Sequence, residues 1–355
     1  MSEIVFILGA GASVPAGAPI MSDFLDRARD IWADPHRVVA EDVPHYQRVF
    51  NALQVLQAVH SKSNLDLVNI ESVFTLLEMA ELLQRMPGNF ENPGDALSSL
   101  KKVIAATLSA SVRFPVANRG IGQAAGYAGF VDMLQRIGEI DRGRHSISVV
   151  TFNYDLGLDF SLLGRGIQYG LGEEQRQGVP VFKLHGSLNW VSKEETGEVI
   201  PLMPDALMRT IDPLRWVGEE TVPLNFYANL KTSAAEIGIA GVSSDPVIVP
   251  PTWKKGEHQR SLARVWQGAA MHLNEAQYIF VCGYSLPETD GFFKMLYALG
   301  TAGGQPLRTF HVLDPDPNVD QRFRALLGPG AQGRYRYQQG FFEDLPGTVL
   351  RYFGQ

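Results

Sequence analysis

The stretch Phe6-Ile-Leu-Gly-Ala-Gly-Ala-Ser13 decides the fold, because an apolar strand breaks into a glycine turn within the first dozen residues. Glycines at positions 9 and 11 let backbone N–H groups approach a phosphate without a Cβ in the way. A helix N-terminus that follows such a turn favours the same negative charge. The run therefore predicts a nucleotide pocket in which Gly9, Ala10, Gly11 and Ser13 hold the phosphates.

A dinucleotide-binding dehydrogenase is the first interpretation of this turn, but the residues that follow disfavour it. The dehydrogenase fingerprint has the form G-x-G-x-x-G, with a second strand soon after the helix and an acidic residue about 20 positions further on. Here Val14 occupies the third glycine position, Gly17 comes late, and residues 31–60 have a helical pattern. A structural glycine turn that binds no ligand stays open as an alternative on this run alone.

Composition excludes several classes of protein. The chain has 355 residues, 45% of them hydrophobic and 19% charged, so it can bury a large core. A net charge of −7 without a basic stripe argues against direct binding of nucleic acid. The single cysteine, Cys282, excludes an internal disulfide and a cysteine-rich zinc site, and its apolar neighbours predict a buried thiol. No apolar run is long enough to span a membrane, so we expect no membrane partner and a cytoplasmic location.

Short apolar runs predict a parallel sheet. Six runs have the length and composition of strands: Ile4–Leu8, Ser146–Thr151, Val179–Leu184, Pro246–Val249, Tyr278–Cys282 and Thr309–Leu313. Hydrophobic runs of this kind, separated by helix-compatible stretches, indicate strands that are covered on both faces. The predicted fold class is α/β, a Rossmann-like parallel sheet of about six strands with a large helical insertion.

Helical periodicity dominates the region between the first two predicted strands. Amphipathic spacing predicts helices over Asn69–Leu83, Leu97–Val112 and Phe130–Ile140. We therefore expect one domain spanning 1–355. Its Rossmann-like core consists of residues 1–30, 145–190 and 246–355, with a helical insertion at 31–144 and a mixed insertion at 191–245.

A small polar cluster follows five of the predicted strands. The clusters are Gly9–Ser13, Thr151–Asp155, His185–Ser187, Gly283–Ser285 and Asp314–Asp316. In an open α/β sheet the ligand crevice lies outside the carboxyl ends of the strands, so we expect these clusters to converge on one cleft. Each cluster taken singly also fits ordinary turn and helix-capping chemistry, and that alternative stays open.

Together these motifs resemble the sirtuin-like superfamily. The resemblance is carried by Gly9-Ala-Gly-Ala-Ser13 with Gly17-Ala-Pro19, Thr151-Phe-Asn-Tyr-Asp155, Leu184-His-Gly186, Pro250-Pro-Thr252 with Lys254, and Gly283-Tyr-Ser285 leading to Asp290. The sequence is most similar to bacterial sirtuin-like NAD-hydrolase domains of anti-phage systems, with motifs in the family's order from residue 9 to 290. Deacylases of the superfamily carry a four-cysteine zinc module and a G-I-P-D-F-R run. This chain has one cysteine, and Leu25 stands where that arginine would be.

The resemblance implies that NAD is a substrate, cleaved to nicotinamide and ADP-ribose, with no zinc or other metal. The catalytic residues would be His185 as general base, Asn153 to orient water and ribose, and Asp155 beside the nicotinamide, unless Asp155 only anchors its loop. Residues expected to bind the rest of NAD are Gly9, Ala10, Gly11, Ser13, Pro19, Thr151, Gly283, Tyr284, Ser285 and Asp314.

The resemblance also implies control of the activity. We expect a latent enzyme that depletes NAD in anti-phage defence, released by self-assembly into a homo-oligomer or by a separate ATPase or Argonaute-type protein. Two alternatives remain: an NAD-dependent protein deacylase or ADP-ribosyl transferase, and a non-catalytic module that senses NAD or ADP-ribose.

Overall fold

The computed structural model describes residues 3–57, 62–86, 92–117, 120–141, 146–170, 178–210, 218–225, 229–249, 255–287 and 290–354. Strands in these ranges are numbered in chain order. They are β1 Ile4–Leu8, β2 Arg113–Ala117, β3 Gly120–Ile121, β4 Ile147–Thr151, β5 Tyr169–Gly170, β6 Val179–Lys183, β7 Gly186–Ser187, β8 Trp190–Ser192, β9 Val199–Pro201, β10 Thr221–Pro223, β11 Val247–Ile248, β12 Tyr278–Cys282, β13 Thr309–Leu313 and β14 Tyr335–Gln338.

The helices of the described ranges are numbered in the same way. They are α1 Phe24–Ala33, α2 Val43–Gln57, α3 Ile70–Leu82, α4 Pro93–Ser111, α5 Tyr127–Asp141, α6 Gly157–Gly164, α7 Pro204–Met208, α8 Leu230–Glu236, α9 Lys255–Glu275, α10 Gly291–Gly300, α11 Asn318–Leu326, α12 Pro329–Gln332 and α13 Leu345–Leu350. Short 3₁₀ helices include Ala10–Ala16, directly after β1. No helix in these ranges combines the length and the apolar character needed to cross a bilayer.

The central sheet has seven parallel strands in the order β14-β13-β12-β1-β4-β6-β5. β1 lies near its middle, where Phe6 pairs with Phe280 on one side and Val149 on the other. All five residues of β1 are buried, because helices cover both faces of the sheet. The predicted class, an α/β Rossmann-like parallel sheet with many helices, is confirmed.

One predicted strand lies outside this sheet, and two strands in it were not predicted. Within Pro246–Val249, only β11 forms, and it pairs antiparallel with β7 in a separate two-stranded sheet. The prediction that this run belongs to the parallel sheet was therefore wrong. An apolar run of two to four residues does not by itself show which sheet it joins. The short β5 and the largely polar β14 complete the central sheet at its two edges, where an apolar run is not required.

Side chains of β1 divide between two apolar layers, because successive residues of a strand point to opposite faces. Ile4, Phe6 and Leu8 join the layer packed under α1 to α5, whereas Val5 and Ile7 join the layer under α9 to α11. The three helices predicted from periodicity are confirmed as α3, α4 and α5. Asn69 and Asn92 cap α3 and α4 by accepting hydrogen bonds from backbone N–H groups.

Two buried histidines make the stability of the fold sensitive to pH. His272 in α9 packs on Phe182 at 4.9 Å between ring centroids, and burial lowers its pKa to about 4. Burial likewise lowers the pKa of His311 in β13 to about 4. Below about pH 6.5 these histidines bind a proton in the unfolded chain but stay neutral in the folded one. The free energy of unfolding therefore falls as the pH decreases from about 6.5 to 4.

We expect His272→Leu to flatten this dependence, with a difference of roughly 3 kcal/mol between pH 7 and pH 4 relative to the unmodified chain. Urea denaturation at a series of pH values measures it. The matched control is His36→Leu, which alters a histidine in an exposed turn. Identical pH slopes for His272→Leu and the unmodified chain would contradict the burial argument.

Candidate functional site

The carboxyl ends of β1, β4, β6 and β12 meet at one cleft, as the sequence predicts for four of its five polar clusters. Nine predicted site residues line the cleft: Ala10, Ser13, Pro19, Asn153, Asp155, His185, Gly283, Tyr284 and Ser285. The opposite wall comes from the helical region, through Met21, Phe24, Ile70, Glu71, Phe74, Ile104 and Leu108. The sheet therefore supplies polar groups, and the helices supply a mostly apolar cover.

The glycines of the first turn are required by backbone packing between two turns. A Cβ on Gly9 would lie 2.4 Å from the carbonyl oxygen of Gly283, and one on Gly11 would lie 2.7 Å from its Cα. The N–H of Gly9 donates to the Cys282 carbonyl at 3.1 Å, and that of Gly11 donates to the Gly283 carbonyl at 2.9 Å. Both N–H groups are therefore used within the protein, by the last residue of β12 and by the residue after it, and neither is directed at a ligand in this structure.

Ala10 is the residue between these two glycines. It lines the cleft, and its N–H makes no hydrogen bond to another group in the described part of the chain. The glycines on either side set the direction of this N–H and do not themselves line the cleft. The turn thus brings one backbone N–H without a hydrogen-bond partner in the described ranges to the cleft lining.

Asn153 lies at the centre of a buried hydrogen-bond cluster. Its side-chain Nδ2 donates to the Gly9 carbonyl at 2.8 Å and to Ser13 Oγ at 3.0 Å, and it lies 3.3 Å from the hydroxyl of Tyr127. The side chain is 8% exposed and lines the cleft. Because the amide nitrogen is turned toward these acceptors, the amide oxygen is the group that Asn153 offers to a ligand.

Asp155 uses both carboxylate oxygens within the protein. Oδ2 accepts from the Ser13 hydroxyl at 2.6 Å, and Oδ1 accepts from the N–H of Gly157 at 2.8 Å. Burial raises the pKa of this carboxyl, while the bond from Ser13 opposes that shift. These contacts match the loop-anchoring alternative for Asp155. The Ser13 hydroxyl has one proton to donate, and it donates this hydrogen bond to Asp155. In this structure the hydroxyl is therefore not available as the donor to a phosphate that the sequence suggests.

His185 follows β6 and faces the cleft. Its ring packs edge-on against Phe152, 5.2 Å between centroids, and the side chain is 6% exposed. The His185 carbonyl accepts from the N–H of Val249 at 2.8 Å. The next residue, Gly186, has φ +87°, and a Cβ there would lie 2.1 Å from the Val247 carbonyl oxygen. Pairing of β7 with β11 therefore requires glycine after the histidine and fixes its backbone.

Tyr284 forms the floor of the cleft beside β12. Its ring stacks on Phe152 with centroids 4.0 Å apart and planes inclined by 6°. The Tyr284 hydroxyl donates to Asp290 Oδ2 at 2.6 Å, and Asp290 Oδ1 caps α10 by accepting from the N–H of Phe293. Burial, with the Asp290 charge second, raises the pKa of Tyr284 well above its ordinary value, so this hydroxyl stays a donor.

Besides Gly9 and Gly11, two more predicted binding residues do not line the cleft. Thr151 is buried below it, where its Oγ1 accepts from the N–H of Asn153 at 3.1 Å. Asp314 lies outside the cleft lining and accepts from the N–H of Asp316 at 2.9 Å. Both side chains shape the turn after their own strand, which is the turn-chemistry alternative considered for such clusters.

Sequence reasoning missed Glu71 and Tyr127. Glu71 comes from the first turn of α3 and lines the cleft, although helical periodicity alone does not show which neighbour a charged helix residue faces. Burial raises the pKa of Tyr154, and the charges of Glu71 and Asp290 raise it further. The described lining residues thus include three carboxyl groups, Glu71, Asp155 and Asp290, and no lysine or arginine.

Pro250-Pro-Thr252 and Lys254 lie outside the described residues. Among the described residues, no three histidine, cysteine, aspartate or glutamate side chains are grouped as metal ligands. Cys282 is a buried free thiol, as predicted, and burial raises its pKa well above the ordinary value.

No protein-family model and no curated protein matches this sequence. Among solved structures, the chain is similar to a Sir2 homologue in complex with ADP-ribose, at 14% identity and a TM-score of 0.39 over 99% of this chain and 92% of the other. A Sir2 homologue in complex with NAD has 14% identity and a TM-score of 0.41, over 99% and 90%. Sir2Tm bound to a propionylated peptide has 12% identity and a TM-score of 0.37, over 99% and 93%. Because TM-scores of this size describe partial overlap, function has to be inferred from the site itself.

Proposed function

We propose that this protein hydrolyses NAD at the bond between nicotinamide and ribose, giving nicotinamide and ADP-ribose. The observation that carries the proposal is the meeting of Asn153 and His185 in one cleft, beside the glycine turn and opposite Glu71. An amide, an imidazole and carboxylates without a described lysine or arginine suit a ligand that carries a cationic ring. The sequence resemblance to sirtuin-like NAD hydrolases supports the same reaction.

The bond cleaved determines what the site has to supply. The carbon–nitrogen bond breaks with both electrons going to the nicotinamide nitrogen, so the leaving group departs neutral and needs no proton. Positive charge builds at the ribose carbon, as in the oxocarbenium-like transition state of glycoside hydrolysis. A carboxylate close to that carbon stabilises the charge, and Glu71 lies on the cleft wall.

Water is the proposed acceptor of the ribosyl group. His185 takes one proton from this water as its oxygen bonds to the ribose carbon, because a neutral imidazole is an effective base near pH 7. The Asn153 amide oxygen accepts a hydrogen bond from water or a ribose hydroxyl, and the cluster around Nδ2 holds it in place. Asp155 fixes this arrangement through Ser13.

We assign the rest of NAD to the sheet side of the cleft. Ala10 would donate its N–H to the pyrophosphate, with Pro19 nearby, and Gly283, Tyr284 and Ser285 would line the adenosine half. Gly9 and Gly11 shape the turn, and Thr151 shapes the loop that carries Asn153.

Chromatography of purified protein incubated with NAD tests the proposal. We expect one nicotinamide and one ADP-ribose for each NAD consumed. Turnover only in the presence of an acyl-lysine peptide or a protein acceptor would instead show a deacylase or a transferase. Tight binding by calorimetry without turnover, with or without activating partners, would show a sensing module and overturn the proposal.

We further propose that the activity is latent, since an NAD hydrolase that is always active would poison its own cell. Control by self-assembly or by an ATPase or Argonaute-type protein, in anti-phage defence, agrees with the sequence resemblance. Mass measurement under assay conditions tests this point. A monomer with full constitutive activity would contradict it.

A further inference from the structure

We infer that Lys183 is a positioning residue that holds the two catalytic loops, Thr151–Asp155 and Leu184–Ser187, at a fixed separation. This inference rests on the proposed function. Lys183 is the last residue of β6 and is 1% exposed. Buried lysines are rare because an ammonium loses its hydration, so one beneath a cleft needs compensating partners. It does not line the cleft itself.

Three partners surround the Lys183 ammonium, one as an ion-pair partner and two as hydrogen-bond acceptors. Nζ lies 2.6 Å from Asp159 Oδ2, and it donates to the Asp155 carbonyl at 2.8 Å and to Ser187 Oγ at 2.7 Å. Asp159 is also buried, and it accepts a further bond from the Tyr169 hydroxyl at 3.2 Å. The charge is therefore paired, and two of its three donors are used in hydrogen bonds.

The two neutral partners belong to different catalytic loops. The Asp155 carbonyl ends the loop that carries Asn153, and Ser187 follows His185 by two residues. One ammonium thus bonds to both loops, immediately below the side chains to which we assign the chemistry. Ser187 extends the contact by donating to Asn189 Oδ1 at 2.6 Å, which links the His185 loop to β8.

Stability alone does not explain this ion pair. A buried ion pair adds little to the free energy of unfolding compared with apolar residues of similar volume, because desolvation of both charges offsets their attraction. Removing one partner lowers the stability strongly, whereas replacing both partners by apolar residues often leaves it unchanged. A geometric role explains why charge is retained here, since two directed bonds, one to each loop, fix the loops more closely than apolar contacts do.

The test is a double variant, Lys183→Met with Asp159→Leu, assayed for nicotinamide release and thermal unfolding. We expect a folded protein whose KM for NAD stays within about threefold, while kcat falls about 10²-fold from misplaced reacting groups. The matched control, Lys231→Met with Glu194→Leu, alters an exposed ion pair of 3.3 Å whose two residues do not line the cleft. It should leave kcat and KM unchanged.

Ser187→Ala provides a second, milder variant that keeps the ion pair and removes the bonds that Ser187 makes to Lys183, Asn189 and Tyr154. We expect a folded protein with a lower kcat and a modestly lower melting temperature, because buried polar partners of Ser187 lose a hydrogen bond. Full kcat in either Ser187→Ala or a folded double variant would overturn the inference and assign Lys183 to folding alone. If the unmodified protein releases no nicotinamide under any activating condition, the proposed function itself fails, which is a different result from an active protein with insensitive variants.

Discussion

Substituting alanine for His185 is expected to lower the rate of nicotinamide release by about 10²- to 10⁴-fold, the usual contribution of a positioned general base. Asn153→Ala should cost about 10²- to 10³-fold, since it removes a fixed polar group from the site where charge develops. His185 and Asn153 line the same cleft and lie on different strand ends, so each loss reports on a separate step of the proposed chemistry.

Stability measurements separate these losses from unfolding. Asn153 holds the Gly9 carbonyl and Ser13, so the melting temperature of Asn153→Ala is measured beside its activity. His36→Ala and Asn51→Ala make the same chemical changes at exposed positions and should retain full turnover. Full activity in either cleft variant would show that the assigned roles are wrong.

Gly283→Ala is expected to have the largest effect on stability of any single methyl added to the cleft. The residue has φ +64°, and a Cβ would lie 2.4 Å from the backbone nitrogen of Ala12 and 2.6 Å from the carbonyl carbon of Gly11. The three nearest atoms are all backbone atoms of Gly11 and Ala12, so no flexible side chain can move aside. Left-handed strain and overpacking together predict a loss of at least roughly 3 kcal/mol in the free energy of unfolding.

The same substitution should also reduce turnover. Displacing the glycine turn moves the Gly9 carbonyl, which accepts the hydrogen bond that orients Asn153. Urea denaturation and nicotinamide release, measured on the same preparation, check both effects. Gly291→Ala is the matched control, because no atom lies within 4 Å of its added Cβ. Stability of Gly283→Ala within about 1 kcal/mol of the unmodified protein would contradict the interlocked-turn description.

The sequence predicted elements better than it predicted partners. Five of six strands, three long helices and the convergence of four polar clusters were correct, because each depends on local apolar periodicity or on the direction of a parallel strand. The sequence placed Pro246–Val249 in the parallel sheet, whereas β11 pairs with β7. It also did not show that the N–H groups of Gly9 and Gly11 donate to carbonyls of Cys282 and Gly283. Those outcomes depend on residues far along the chain, which no local pattern encodes.

The site shows the same division. Asn153 and His185 were found because polar residues directly follow buried strands, and strand direction then places them at one edge. Glu71 and Tyr127 were missed because their helices are amphipathic in the ordinary way, and only packing shows that they reach the cleft or its hydrogen-bond cluster.

By itself, the sequence determined the α/β class, the helical region after β1 and the strand ends that line the cleft. These follow from burial and chain direction, which act over a few residues. Only the tertiary structure decided that glycines at 9, 11 and 283 interlock, that Asp155 anchors Ser13, and that Lys183 joins two loops. Hydrogen bonds and close contacts act over about 3 Å, so they form only between atoms that the folded chain brings together. Residues distant in sequence therefore become partners only through the tertiary structure.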